Sequence, residues 1–293
     1  MKKNTVLLPR HIEFFFYQIL LNPLIQRSKK TLQDEENPVG ITVSRALEKT
    51  MNKSLTEEEM LWIDKIESLR QALKVSDKQI TIVDNGAGSS YSGVNSEFLN
   101  EINVAARSVG DVCRRSSKSH FWATLLFHLI REFRPKVCVE LGTCLGISGA
   151  YLAAGLKLNQ LGKLVTIEGS QSLASLAGQN FTTLGFGNVE LVTGKFQEKL
   201  EKVLAKNAPV EFVFIDGHHD GLATWYYFEQ IHAFASTNTL LVLDDIRWSK
   251  SMKKTWRMIQ SDERVCFALD LWMIGICLLK KPGRIVEYSS APR

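Results

Sequence analysis

Residues 136–148, KVCVELGTCLGIS, decide how the rest of the chain is read. KVCVEL is a short, β-branched run that reads as a buried strand. It breaks at Gly142, and a second glycine follows at 146 before an apolar helical stretch opens at Ser148. Glycines at a strand–helix junction permit a tight turn and close approach of backbone to a ligand. The free N–H groups of the helix that follows suit an anionic group.

Downstream the same rhythm repeats. KLVTIE (163–168), VELV (189–192), EFVFID (211–216) and TLLVLDD (239–245) read as strands. Residues 148–159, 171–184, 195–206, 221–235 and 249–261 read as helices. Five strand–helix units predict an α/β fold, a doubly wound parallel sheet with helices on both faces. Two closing strands, about 264–271 and 273–280, have only a tight connection around Trp272. They must run antiparallel, as a C-terminal hairpin.

Upstream the pattern is mostly helical. Residues 1–30 read as one helix with an aromatic face (Phe14, Phe15, Phe16, Tyr17), and 31–40 as a polar loop. Residues 41–75 are helical, with Thr56 before Glu57, Glu58 and Glu59 as an N-cap followed by acids. ITIVDNGAGSSYSG (80–93) is a short strand running into a Gly/Ser loop, and 96–110 and 118–133 read as helices. HFWATLLFHLIREF, within the last, is apolar nearly all round and is expected to be buried. The organisation is a helical N-terminal extension over 1–115 with a Gly/Ser loop at 84–93, a ligand-binding α/β domain over 116–283, and a tail over 284–293.

Of the 293 residues 45% are hydrophobic and 23% charged, which excludes a disordered, collagen-like or disulfide-stapled chain. The net charge of +5 is spread over short clusters such as Arg114-Arg115 and Lys253-Lys254. That is not the contiguous basic track of a nucleic-acid binder, so no nucleic-acid partner is expected. Five cysteines without paired spacing point to free thiols in a reducing compartment, hence a cytoplasmic protein. The apolar run from Ile12 to Ile25 is interrupted by Glu13, Gln18, Asn22 and Pro23. It is too short to span a bilayer and suits packing on the body or on a second copy, a weak pointer to a homodimer.

Ligands of such sheets bind beyond the carboxyl ends of the strands. The first strand ends in Glu140, and the second ends 28 residues later in Glu168. An acid at the second position is placed to accept hydrogen bonds from ribose hydroxyls, which indicates an adenosine-type ligand. The loop lacks the G-x-G-x-x-G spacing and the Walker lysine, which disfavours a dinucleotide or a triphosphate. The later strands end in Asp216-Gly217-His218-His219 and in Asp244-Asp245. Three converging carboxylates repel unless a cation neutralises them, and hard oxygen ligands suit Mg²⁺. His219 is a candidate general base, its reference pKa of about 6.5 lying near working pH.

ELGTCLGIS, with the segments around Glu168, NVELVTGKFQEKL (188–200), EFVFIDGHHD (211–220) and LLVLDDIRW (240–248), resembles catechol O-methyltransferase and its relatives. These are class I S-adenosylmethionine-dependent O-methyltransferases of Rossmann-like fold that act on small molecules. The likeness covers about residues 108–281. It implies that Glu140, Gly142, Thr143 and Gly146 line the methionine part of S-adenosyl-L-methionine, with Asp216 bordering the site. Ser148 would take the carboxylate, Glu168 the ribose, and Phe196 and Gln197 the adenine. Asp216, Asp244 and Asp245 would hold Mg²⁺, and His219 with Asp216 would carry the chemistry on a small-molecule acceptor.

Two positions depart from that family. Asp245 stands where the third metal ligand is usually Asn, and His219 stands where the catalytic lysine falls. A second branch carries D-G-x-H at this place without a proven metal role, and it fits Asp216-Gly217-His218-His219 equally well. Metal dependence therefore stays open. So do an RNA or protein acceptor, and a cofactor-binding module without turnover. The loop DNGAGSS (84–90) resembles a second cofactor loop, but no acid follows it at the right distance. It is read as a connecting loop, or as one lying over the site.

Overall fold

The computed structural model describes residues 38–84 and 103–280, together with Tyr17, Ile19 and residues 21–23, which are helical. The rest of the expected N-terminal helix, the Gly/Ser loop from residue 85 and the tail lie outside the described residues.

Helix α1 (Pro38–Met51) begins inside the stretch expected to be loop. The reason is local: proline suits the first turn, where its missing N–H has no intrahelical acceptor. Helix α2 (Glu57–Lys74) starts at the expected cap. Thr56 Oγ1 accepts from the Glu59 N–H (3.3 Å) while Glu59 Oε2 accepts from the Thr56 N–H (3.0 Å), a reciprocal capping box.

Strands β1 (Gln79–Asp84) and β2 (Asn103–Ser108) pair antiparallel, with Ile82 opposite Ala105. The helix expected over 96–110 is thus a strand over Asn103–Ser108, and among its described residues only Val109 and Gly110 are helical. Val104-Ala105-Ala106 is compatible with helix locally, but pairing with β1 satisfies its backbone instead. Helices α3 (Val109–Ser116), capped by the Ser108 side chain, and α4 (His120–Phe133), which starts after Ser119, follow. Between them Ser117, Lys118 and Ser119 form a short link, so Lys118 lies outside the helix in which it was expected.

From here the α/β expectation holds. The elements are β3 (Val137–Leu141), α5 (Ile147–Leu158), β4 (Lys163–Glu168), α6 (Gln171–Thr183), β5 (Val189–Thr193) and α7 (Phe196–Asn207). Next come β6 (Val210–Ile215), α8 (Gly221–Ala233), β7 (Ala235–Leu243), α9 (Lys250–Gln260), β8 (Val265–Asp270) and β9 (Gly275–Lys280). They build a seven-stranded sheet in the order β5-β4-β3-β6-β7-β9-β8. Strands β3 to β7 run parallel, while β9 pairs antiparallel with both β7 and β8. The chain winds outward from β3 to β5, then returns beside β3 with β6. A switch point therefore opens between β3 and β6, where such sheets bind ligands.

Side-chain alternation divides the core. Phe212 and Phe214 face α4 and α5, where Phe121, Phe127, Tyr151 and Ala154 pack together with Val43 of α1 and Ile63 of α2. Val213 and Ile215 face the other side, against Leu200, Tyr227, Phe228 and Trp256. Both faces are covered, as parallel sheets require. Among the described residues no helix is long and apolar enough to cross a membrane.

Candidate functional site

The sheet ladder itself assembles the site. Beyond the ends of the strands, the Asp216 N–H donates to Leu141 O (2.8 Å), the Asp244 N–H to Ile215 O (2.9 Å) and the Gly142 N–H to Ile167 O (3.0 Å). Each bond carries the pairing one residue further and sets Gly142, Asp216 and Asp244 side by side. Gly142 has φ +102°, and a Cβ there would strike the Asp216 carbonyl oxygen. Only glycine fits so close a crossing of two chains at that φ.

On the β4 side, Glu168 is 9% exposed. Its Oε2 accepts from the Cys144 N–H (2.8 Å) and its Oε1 from the Ser170 N–H (2.9 Å). These two N–H groups fix the carboxylate at the end of β4, beside the Gly142–Ser148 loop. Gly146 (φ +81°) closes the loop against Phe181 and opens α5, where Ser148 is buried. Glu140 lies beneath, wholly buried, and accepts from Thr166 Oγ1 (2.7 Å). Thr143 Oγ1 bonds the same threonine hydroxyl (2.5 Å). Burial pushes the Glu140 carboxyl up to about 7, against the Ser148 and Thr166 hydroxyls. The backbone cradle at Gly142 and the positioned Glu168 carboxylate fit the adenosine-type cofactor that the residues imply.

On the β6 side, the Phe196 ring covers Gly217, where a Cβ would sit 2.8 Å from Cε2. Gln197 Nε2 lies 3.4 Å from His218 Nδ1, which also meets Tyr227 Oη at 2.6 Å. Phe196, Gln197 and Tyr227 thus gather around His218, a residue that sequence reasoning did not single out.

His219 turns the other way. Its Nε2 stands 3.8 Å from Asp245 Oδ2 and 4.0 Å from Asp216 Oδ1, with the Trp248 ring 5.6 Å away. The three aspartates converge as expected. The cation between them was not foreseen. Lys118, from the link before α4, is 3.3 Å from Asp216 Oδ2 and in direct contact with Asp244 Oδ2. Burial opposes its charge, but the three aspartates hold it as an ammonium. Lys118 in turn keeps Asp244 ionised below the usual carboxylate value, although burial works against this. Burial and the adjacent Asp244 raise Asp216 well above that value, and they raise Asp245 too.

This arrangement does not fit the Mg²⁺ site that the sequence suggested. The carboxylates face an ammonium at the point where a divalent ion would sit. Among the described residues no group of three or more His, Cys, Asp or Glu side chains is arranged to hold a metal.

A second layer fixes the lysine. Arg70 of α2 donates through Nη1 to the Lys118 carbonyl (2.6 Å) and through Nε to Glu67 Oε1 (2.8 Å). Tyr151 Oη donates to the same Glu67 oxygen (2.8 Å), and His120 Nδ1 lies 2.8 Å from that hydroxyl. Burial works against the Glu67 charge, but His120 and Arg70 hold it well below the usual carboxylate range. Sequence reasoning missed Glu67, Arg70 and Lys118; the available signal was the i,i+3 acid–base pair of an otherwise ordinary amphipathic helix.

Comparison with known proteins agrees with this geometry. Residues 139–246 match a family model described as a methyltransferase domain. A protein of Mycobacterium sp. (strain JLS) named "Putative O-methyltransferase" is 35% identical over 95 residues, 32% of this chain. The chain spans about 41% of the length of that relative. The solved O-methyltransferase of Bacillus cereus, in complex with S-adenosylhomocysteine, superposes with TM-score 0.50 at 24% identity, covering 57% of this chain and 84% of that one. An S-adenosylhomocysteine-bound methyltransferase of Podospora anserina gives TM-score 0.50 at 18% identity, covering 57% and 81%. The seven-stranded sheet with its antiparallel hairpin is the Rossmann-like methyltransferase fold that these solved structures share.

Proposed function

We propose that this chain is an S-adenosylmethionine-dependent O-methyltransferase acting on a hydroxyl of a small molecule. The observation that carries the reading is the pairing of the Gly142–Ser148 loop with Glu168 beside the switch point. Glu140, Gly142, Thr143, Gly146 and Ser148 border the methionine end, Glu168 the ribose, and Phe196 and Gln197 the adenine. When bound, the cofactor supplies a methyl group on a sulfonium centre. The carboxyl ends of β6 and β7 then form the acceptor side. His219 Nε2 takes the proton of the acceptor hydroxyl, with Asp216 and Asp245 flanking the imidazole. Trp248, half exposed beside His219, walls the acceptor. Holding both reactants in line supplies much of the acceleration.

The test is thermal melting with S-adenosylhomocysteine, followed by a panel of phenols and aliphatic alcohols, with RNA and protein as controls. Ligand at 100 times its dissociation constant adds about 2.7 kcal/mol, and Glu168→Ala should remove most of that shift. No shift with either the cofactor or its demethylated product would sink the reading. Binding without transfer to any acceptor would favour a module without turnover.

A further inference from the structure

We propose that Lys118 is the cation of the acceptor site, its ammonium taking the place of a divalent metal between Asp216 and Asp244. The inference deepens the methyltransferase reading, on which its catalytic consequence rests.

Three observations support it. Asp216 and Asp244 end neighbouring parallel strands, where Ile215 pairs with Leu243, so the sheet forces their carboxylates together. Such a pair is stable when a positive charge lies between, and the Lys118 ammonium reaches both. The Lys118 side chain is 10% exposed and that of Asp244 is 1% exposed. Moving the ammonium out to admit a metal would strand buried carboxylates in the interim. The backbone of Lys118 is also anchored. Its carbonyl accepts from Arg70, which is buried and locked to Glu67, and Glu67 is held by Tyr151 of α5. The cation is therefore a fixture of the fold, anchored by Arg70 of the N-terminal extension.

The consequence concerns the substrate. A metal selects acceptors with two adjacent oxygens, because both can ligate it. An ammonium donates hydrogen bonds singly, so one hydroxyl is enough.

The experiment is an electron paramagnetic resonance titration of Mn²⁺ into the full chain, with and without S-adenosylhomocysteine. The wild type should take up no stoichiometric Mn²⁺ at millimolar concentrations. Lys118→Ala should gain one Mn²⁺ site, and adding Asp216→Asn should abolish it. A single Mn²⁺ bound by the wild type and lost in Asp216→Asn overturns the proposal. A folded Lys118→Ala that gains no site overturns it as well. Lys118→Gln, closer in length, serves if the alanine variant does not fold, and the wild-type titration stands by itself. S-adenosylhomocysteine melting on the same preparation tests the methyltransferase reading separately, since failure there leaves the Mn²⁺ result unaffected.

Discussion

The two halves of the site are built by different means. The cofactor half, from β3 to β5, consists of backbone and short-range contacts. Glu168 is fixed by N–H groups 24 and 2 residues away, and its neighbour loop turns on glycines. The acceptor half is made of buried charges gathered from distant segments, with Lys118 and Asp244 126 positions apart. A contiguous βαβ unit can hold a cofactor almost unaided. An acceptor site assembled from ion pairs depends on the whole fold being present. The two halves should therefore fail in different ways.

The largest expected effect is on the acceptor half. Arg70→Met takes the guanidinium from the buried Glu67 and leaves it only Tyr151 and His120, which should cost about 3–5 kcal/mol of stability. The S-adenosylhomocysteine shift should survive, because nothing on the cofactor side touches Arg70. Urea unfolding with and without ligand checks both parts, and a lost ligand shift would break the distinction between the halves.

Gly142→Ala tests the opposite half. Left-handed strain of about 1–3 kcal/mol adds to crowding against the Asp216 carbonyl of about 1–3 kcal/mol. The expected loss is about 3 kcal/mol, together with the ligand shift. Retained binding measured by calorimetry would show that the backbone cradle is not what holds the cofactor.

A third test uses pH. The Glu140 carboxyl stands at about 7 against an ordinary value of 4.5, so the folded state holds its proton more tightly than the unfolded chain. Stability from this group is fully present below about 4.5 and is lost as pH rises to about 7, a change of about 3 kcal/mol. Glu140→Gln should flatten the melting temperature of the ligand-free protein across that window. An unchanged slope would remove Glu140 as its source.

The same contrast explains what could be read from the sequence. Glu168, Gly142 and the three aspartates were legible because strand ends are visible in periodicity, and sheet topology brings strand ends together. The cap at Thr56 was legible because its partner is three residues away. The strand at Asn103–Ser108 was not, since alanines carry no β signal and the pairing partner decides. Nor was Lys118. A lone lysine in RSSKSH reads as a solvated cap, and only the folded sheet turns it inward. The lysine that the family resemblance looked for at position 219 is a histidine. The ammonium enters instead from the link before α4, ahead of the whole sheet.

At the strand ends Cys144, His218, His219 and Asp245 all have φ between 35° and 70°, in the left-handed region that side chains other than glycine resist. Such residues cost of order 1–3 kcal/mol each. Glycine or asparagine at any of them would relax the backbone, so random mutagenesis for heat resistance should find stabilising changes there first. At His219 and Asp245 those gains would come from the residues proposed to meet the acceptor. Cys144 packs against the apolar cluster of Val112, Leu173 and Leu176 instead of facing the acceptor, so it is where an engineer could raise the melting temperature without touching the acceptor side.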